Sequence, residues 1–146
     1  TAIVAPFLLP ASHPLYAVNG VFNAIFVHGN VLGDAMFYGS GAGKLPTASA
    51  VVADVVEIAK NLDKNIPIEW SSKKLELVDY KEWENQFFIR TTADKNAIER
   101  VFGNVTYIQA DGVEGETGFV TEKISEAACE AKEAELGNIL QKIRVA

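Results

Sequence analysis

The sequence is poor in cysteine, histidine and methionine, and this scarcity narrows the chemistry available to the chain. One cysteine and two histidines occur among its 146 residues. A single cysteine cannot form a disulfide within the chain, which favours a reducing, cytoplasmic location. Cys129 lies in an alanine-rich stretch and is predicted to be a small core residue rather than a nucleophile. With so few nitrogen and sulfur ligands, the sequence predicts no metal site.

Positive charge and long apolar runs are also scarce. Lys and Arg number 13 against 19 Asp and Glu, a formal net charge of −6, which disfavours binding to nucleic acid. The apolar residues 1–10 are broken by Pro6 and Pro10 and have no basic residue ahead of them, so they predict neither an export signal nor a membrane span. Because the chain begins inside an apolar segment without methionine, we expect a piece of a longer protein.

A change in composition along the chain predicts two folded parts. Residues 1–65 are rich in Gly, Ala, Val and Phe, as a buried interior is, whereas residues 85–146 alternate apolar with charged residues. Residues 66–84 are predicted to form a linker, because the stretch at residues 63–72 holds Pro67, several polar residues and two serines. The predicted fold class is α+β.

The first part is predicted to contain strands and one helix. Residues 21–28 and 34–38 are β-branched and aromatic enough for two strands joined by a turn at Gly29. Thr47 is predicted to cap a helix that runs to about Leu62, because apolar residues recur at helical spacing along it. Asp34 and Asp54, His13 and His28 are predicted to have structural roles.

A glycine-rich loop, Gly39-Ser-Gly-Ala-Gly43, separates the second strand from that helix. Glycines allow close approach of a ligand, and a helix N-terminus offers free N–H groups. A Walker A loop would need glycine at Tyr38 and Ser or Thr at Leu45, and a dinucleotide fingerprint would need glycine at Lys44, so both motifs are excluded. A tight turn and a ligand contact remain equally compatible with the loop.

The second part has the order βαββαβ, a ferredoxin-like unit. Strands are predicted at residues 86–92, 105–110, 118–123 and 138–145. Asp94 and Ser125 are predicted to cap the two helices, with Gly103 and Gly137 just past their ends.

The first part contains a series of distinctive motifs, namely His13-Pro14-Leu15, Val18-Asn-Gly-Val-Phe-Asn-Ala-Ile25, Leu32-Gly-Asp34 and Tyr38-Gly-Ser-Gly-Ala-Gly-Lys-Leu-Pro-Thr-Ala-Ser-Ala-Val51. In letters and spacing, residues 5–62 closely resemble the end of the catalytic domain of homoserine dehydrogenases. The resemblance implies NADP- or NAD-dependent interconversion of L-aspartate 4-semialdehyde and L-homoserine, an oxidoreductase step in threonine, methionine and isoleucine biosynthesis. It also implies that Gly43 lies against the nicotinamide cofactor, flanked by Ala42 and Lys44.

The same resemblance places the catalytic residues and the Rossmann domain upstream of this chain. Residues 1–65 are then a partial catalytic-domain segment without catalytic residues of its own. We therefore expect the chain alone to have no dehydrogenase activity.

Residues 85–146 resemble an ACT regulatory domain. The resemblance implies self-association into a homodimer or larger oligomer, with threonine as the expected allosteric effector at Asp94, Asn96 and Ala97. Ala97 stands where the family's effector loop has glycine, which narrows the space for a ligand's carboxylate. The alternative is a stand-alone ACT-type module for amino-acid binding or dimerisation.

Overall fold

Strand pairing divides the chain into two units, seen in a computed structural model that describes residues 1–65 and 67–146. The hairpin–helix unit comprises Ala11–Lys74, and the sheet unit comprises Thr1–Pro10 together with Leu75–Ala146. The predicted division did not anticipate that residues 1–10 join the second unit. Residue 66, the first of the predicted linker, lies outside the described residues.

The hairpin–helix unit begins with an antiparallel hairpin. Strand β2 (Phe22–Gly29) pairs with β3 (Gly33–Ser40), and the ladder runs from the pair Phe22 and Ser40 to the pair Gly29 and Gly33. Both predicted strands are present, and β3 is longer than predicted. The rings of Phe22 and Tyr38 stack across the ladder with centroids 5.0 Å apart, a favourable cross-strand pair.

Helix α1 (Lys44–Lys60) follows the glycine loop. The prediction that Thr47 caps it was wrong, because the helix begins three residues earlier, with Gly43 as N-cap. The Gly43 carbonyl accepts hydrogen bonds from the Thr47 amide (3.2 Å) and the Thr47 hydroxyl (2.9 Å). Pro46 is compatible with this earlier start, since the first amides of a helix have no intrahelical partner.

Many apolar side chains of this unit are exposed. Val55 and Ile58 on α1 are 59% and 64% exposed, and Ile25 and Phe37 on the hairpin are each 67% exposed. The predicted helical spacing of apolar residues is real, yet α1 buries none of them. Among the described residues, no helix is long and apolar enough to cross a membrane.

The sheet unit forms around β4 (Glu84–Thr91). Its other elements are β1 (Phe7–Leu8), α2 (Lys95–Phe102), β5 (Val105–Ile108), β6 (Thr117–Thr121), β7 (Ile124–Ser125), α3 (Glu126–Leu136) and β8 (Ile139–Val145). The strand order is β1-β8-β4-β6-β5, so β4 lies between β8 and β6, and the short β7 also pairs with β4. Element order follows the predicted one, apart from the unpredicted β1 and β7.

Both predicted helix caps of this unit are observed. The carboxylate of Asp94 accepts from the Ala97 amide at 2.9 Å, and the hydroxyl of Ser125 accepts from the Ala128 amide at 3.2 Å. The mixture of helices and strands is confirmed, whereas the assignment of residues 85–146 to the ferredoxin-like ACT class stays a prediction.

Alternate residues of β4 supply the core of the sheet unit. Phe87 and Ile89 point to the same side as Phe119 of β6, and all three are fully buried. Cys129 is also fully buried, so its predicted place in the core is confirmed. Burial away from water raises the pKa of its thiol to about 12, with nearby Glu133 adding to the effect.

Strand β1 was not expected, because two prolines flank it. Phe7 and Leu8 pair in parallel with Arg144 and Val145 of β8, and the Ala146 amide donates to the Leu8 carbonyl at 3.0 Å. Prolines are tolerated at the outside of a sheet, where no further strand needs their missing N–H groups. β1 therefore covers the outer edge of β8.

A cluster of charged side chains ties α3 to β8. The carboxylate of Glu126, 3% exposed, contacts Arg144 at 2.8 Å and Lys142 at 3.1 Å. Lys142 also contacts Glu133 at 3.0 Å. Desolvation by burial lowers the pKa of Lys142, but hydrogen bonds to Glu133 and Glu126 outweigh it and the pKa is raised overall.

We expect Glu126→Ala to lower the free energy of unfolding by about 3 kcal/mol, because it leaves a partly buried cation without its partner. Glu130→Ala is the matched control on the same helix. Glu130 pairs with Lys81 at 3.3 Å but its side chain is 43% exposed, so its removal should change stability little. Denaturant unfolding of both variants measures the difference, and equal losses would contradict a special role for Glu126.

Candidate functional site

The glycine loop joins β3 to the N-terminus of α1 and ends in a backbone conformation that requires glycine. Gly43 has φ 110° and ψ 152°, a region that residues with a Cβ avoid. No side chain caps α1. The first amides of the helix, those of Lys44 and Leu45, are therefore placed where a helix N-terminus favours negative charge.

The three residues predicted to contact a cofactor form one continuous exposed segment. Ala42 precedes the N-cap, Gly43 is the N-cap, and Lys44 is the first helical residue. Close backbone approach at Gly43 and a cation at Lys44 are suited to an anionic dinucleotide. The residues present fit such a group, and their contact with it stays a prediction.

A groove of about 290 Å³ lies on the hairpin next to this loop. It opens over Gly39, where an added Cβ would meet nothing within 4 Å. Asn23 and Gly41 line the groove near the loop, and Ile25 and Phe37 line it along the strands. This groove thus presents both apolar and polar surface beside the loop.

The predicted effector residues of the sheet unit lie in the first turn of α2. Asp94 is the N-cap and uses its carboxylate to satisfy the Ala97 amide. Asn96 lies between them on the same turn. The structure therefore gives Asp94 a capping role, which accounts for its presence without a ligand.

A second groove of about 360 Å³ lies beside that turn and was missed from the sequence. Its charged lining includes Arg90, Lys95 and Glu116. Arg90 donates from Nη2 and Nε to one oxygen of Glu116 at 2.5 and 3.0 Å. Arg90 is paired with Gly118 across the β4–β6 ladder, and Glu116 lies two residues before Gly118, just ahead of β6. Only the strand order, not sequence spacing, brings these charges together.

Tyr107 closes one side of this groove. Its hydroxyl donates to Glu99 at 3.1 Å, and Lys95 Nζ lies 4.8 Å from the centre of its ring. Desolvation by burial, followed by the contact with Glu99, raises the pKa of Tyr107. The groove therefore offers cations, a carboxylate and an aromatic face within a small space.

Three of the polar residues predicted to be structural, His13, His28 and Asp34, make contacts within the hairpin–helix unit. His28 and Asp34 contact each other across the hairpin at 2.5 Å and are both exposed. His13 Nδ1 accepts from the Leu15 amide at 3.1 Å and starts a short turn at residues 14–17. Within the described part of the chain, no three His, Cys, Asp or Glu side chains are grouped so that they could hold a metal ion.

A comparison with protein families finds a match that includes the glycine loop. The family model described as homoserine dehydrogenase matches residues 1–56, which span the hairpin, the glycine loop and most of α1. Residues 1–56 are therefore similar to homoserine dehydrogenases.

Curated homoserine dehydrogenases support the same assignment. One from Lactococcus lactis is 58% identical over 59 residues, which are 40% of this chain and 14% of the relative. One from Mycobacterium bovis is 43% identical over 101 residues, which are 67% of this chain and 23% of the relative. The chain thus spans less than a quarter of the length of these relatives.

Solved structures extend the similarity beyond residue 56. A crystal structure of homoserine dehydrogenase from S. aureus matches 97% of this chain and 36% of its own, with 27% identity and a TM-score of 0.66. A homoserine dehydrogenase from Thiobacillus denitrificans matches 97% of this chain and 38% of its own, with 22% identity and a TM-score of 0.72, and it supports the fold alone.

We expect Asp94→Ala to destabilise the sheet unit by about 1 kcal/mol through loss of the cap. If Asp94 only caps α2, the dissociation constant for threonine measured by calorimetry should be the same in the variant and in the unchanged protein. Asn96→Ala, on the same turn but without a capping role, is the control for the stability change only. Loss of threonine binding in Asp94→Ala without loss of stability would instead support a direct effector contact.

Proposed function

We propose that this chain is the C-terminal part of a homoserine dehydrogenase, an oxidoreductase that interconverts L-aspartate 4-semialdehyde and L-homoserine with NADP or NAD in the cytoplasm. The observation that carries this proposal is the family match across residues 1–56, which includes the glycine loop. The likeness of almost the whole chain to about a third of the S. aureus enzyme supports it.

Exposed apolar surface in the hairpin–helix unit supports the view that the rest of a catalytic domain covers it. Val51, Val52 and Val55 are each more than half exposed on α1. Burying one valine side chain contributes about 2 kcal/mol, so leaving this face in water is unfavourable. We propose the part of the enzyme that its relatives have in addition as the occupant; the match leaves 64% of the S. aureus structure outside this chain, since it covers 36% of it.

The proposed role of the glycine loop is to hold the cofactor next to the substrate. Gly43 presents backbone without a side chain, and the first amides of α1 donate toward negative charge. The nicotinamide group, when bound, supplies or accepts the hydride. Lys44 adds a positive charge at the same place, and Ala42 keeps the approach narrow.

No residue of this chain is proposed to transfer a proton. The catalytic lysine and the carboxylates that hold the substrate belong, by the family resemblance, to the upstream part of the enzyme. The contribution of this chain is therefore positioning of the cofactor and support of the active site from one side.

For the sheet unit we propose a regulatory role as an ACT-like domain that binds an amino acid such as threonine. The groove beside α2 is the alternative to the predicted loop, because Asp94 is occupied as a cap. Lys95 suits a carboxylate. Arg90 and Glu116 pair with each other, so an amino acid would have to exchange its carboxylate and ammonium groups with that ion pair.

The alternative function, a module for dimerisation, is favoured by one feature of the sheet. β1 covers the edge at β8, whereas β5 forms the opposite end of the strand order. β5 carries Val105, Thr106, Tyr107 and Ile108, without proline or charge to block a further strand. We propose that self-association of the enzyme uses this edge.

The decisive experiment is an assay of homoserine-dependent reduction of NADP and NAD. We expect turnover from the complete protein that carries this chain and none from the 146-residue chain alone. In the complete protein, Gly43→Ala should raise the KM for the cofactor at least about tenfold, because alanine at positive φ is strained and its methyl group blocks the approach.

Gly20→Ala is the matched control for backbone strain. Gly20 has φ 68° and an added Cβ there would meet nothing within 4 Å, so it reproduces the strain away from the loop. An equal rise in cofactor KM for both variants would contradict a specific role of Gly43, and absence of turnover in the complete protein would overturn the proposed function.

A further inference from the structure

The side chain of Asn23 lies against the backbone of the glycine loop. Asn23 is on β2, directly opposite Gly39 of β3. Its side chain reaches diagonally past Gly39 toward Gly41, and a Cβ added at Gly41 would lie 2.8 Å from Asn23 Nδ2 and 3.6 Å from its Cγ. Asn23 therefore occupies the place that a side chain at residue 41 would take.

This contact occurs where the loop leaves the sheet. The last pair of the β2–β3 ladder is Phe22 with Ser40, so Gly41 is the first residue beyond it. Gly41 has no positive φ that would by itself require glycine. A side chain at this position would therefore require the carboxamide of Asn23 to move.

The carboxamide of Asn23 also makes a hydrogen bond within its own strand end. Nδ2 donates to the carbonyl of Val21 at 3.4 Å, which orients the group toward the end of the ladder. From there two residues, Gly41 and Ala42, lead to Gly43. The position of Asn23 consequently limits where the chain can run between the sheet and the N-terminus of α1.

We propose that Asn23 is a positioning residue for the glycine loop, acting through its contact with Gly41. It fixes the point at which the chain leaves β3 and so fixes where Gly43 lies. The consequence for catalysis rests on the proposed function, in which Gly43 lies against the nicotinamide cofactor. Asn23 itself is assigned no contact with the cofactor or the reacting atoms.

A double-mutant cycle measures the contact directly. Hydrogen exchange of the peptide covering residues 39–45 is followed in the complete protein without cofactor. Asn23→Ala and Gly41→Ala should each speed exchange in this peptide at least about threefold, and Gly41→Ala should add little in the Asn23→Ala background, because residues that share one contact couple. Gly39→Ala is the control, since its methyl group meets nothing within 4 Å, and it should leave exchange unchanged.

Unchanged exchange in Asn23→Ala, or an equal effect of Gly41→Ala in both backgrounds, would overturn the proposal. If Asn23→Ala does not fold, the comparison of Gly41→Ala with Gly39→Ala decides alone, and equal exchange in those two variants would overturn it.

Kinetics separate positioning from a general structural role. In the complete enzyme, Asn23→Ala should raise the KM for the cofactor at least about threefold while the KM for homoserine stays unchanged. Equal changes in both constants would overturn the positioning role. A further outcome separates the two proposals. If exchange is coupled but neither Asn23→Ala nor Gly43→Ala alters the cofactor KM, the loop contact is supported and the proposed cofactor role of the loop is contradicted.

Discussion

The hairpin–helix unit leaves much of its apolar surface exposed to water, which is unfavourable. α1 has no buried residue, and Ile25 and Phe37 of the hairpin are mostly in water. Local rules still shape the unit, because the strands pair in full register and the helix forms over its apolar repeat. What such a unit lacks is an interior, and an interior requires further protein against it.

The sheet unit differs because it has a core of its own. Phe87, Ile89 and Phe119 are completely buried under two helices, and the charge cluster around Glu126 fastens α3 to β8. One short chain thus joins a unit that depends on its surroundings to one that is organised by itself. In the proposed function, the first unit is a segment of a catalytic domain and the second is an appended domain.

The sequence allowed prediction of those features that depend on neighbouring residues. The caps at Asp94 and Ser125 were predictable because a cap and its amide are three residues apart. The start of α1 was misplaced because Thr47 suits a cap, while the actual N-cap, Gly43, uses only its backbone. β1 was missed because a two-residue strand between prolines has no periodicity to detect.

The candidate sites divide in the same way. Ala42, Gly43 and Lys44 are consecutive, so their grouping followed from the sequence and from family resemblance, whereas their place at the start of α1 did not. The pair of Arg90 with Glu116 joins residues far apart in the chain, and the contact of Asn23 with Gly41 depends on hairpin register. Such groupings become visible only when strand order and register are known.

The central claim is that the rest of a catalytic domain covers the apolar face of α1. Thiol labelling of Val55→Cys measures this most directly, with Lys60→Cys on the same helix as the control. Background labelling of Cys129 should be slow, since that thiol is buried and its pKa is raised to about 12. The account predicts that Val55→Cys reacts in the 146-residue chain but is protected in the complete protein, while Lys60→Cys reacts in both. Equal reactivity of Val55→Cys in the two proteins would contradict it.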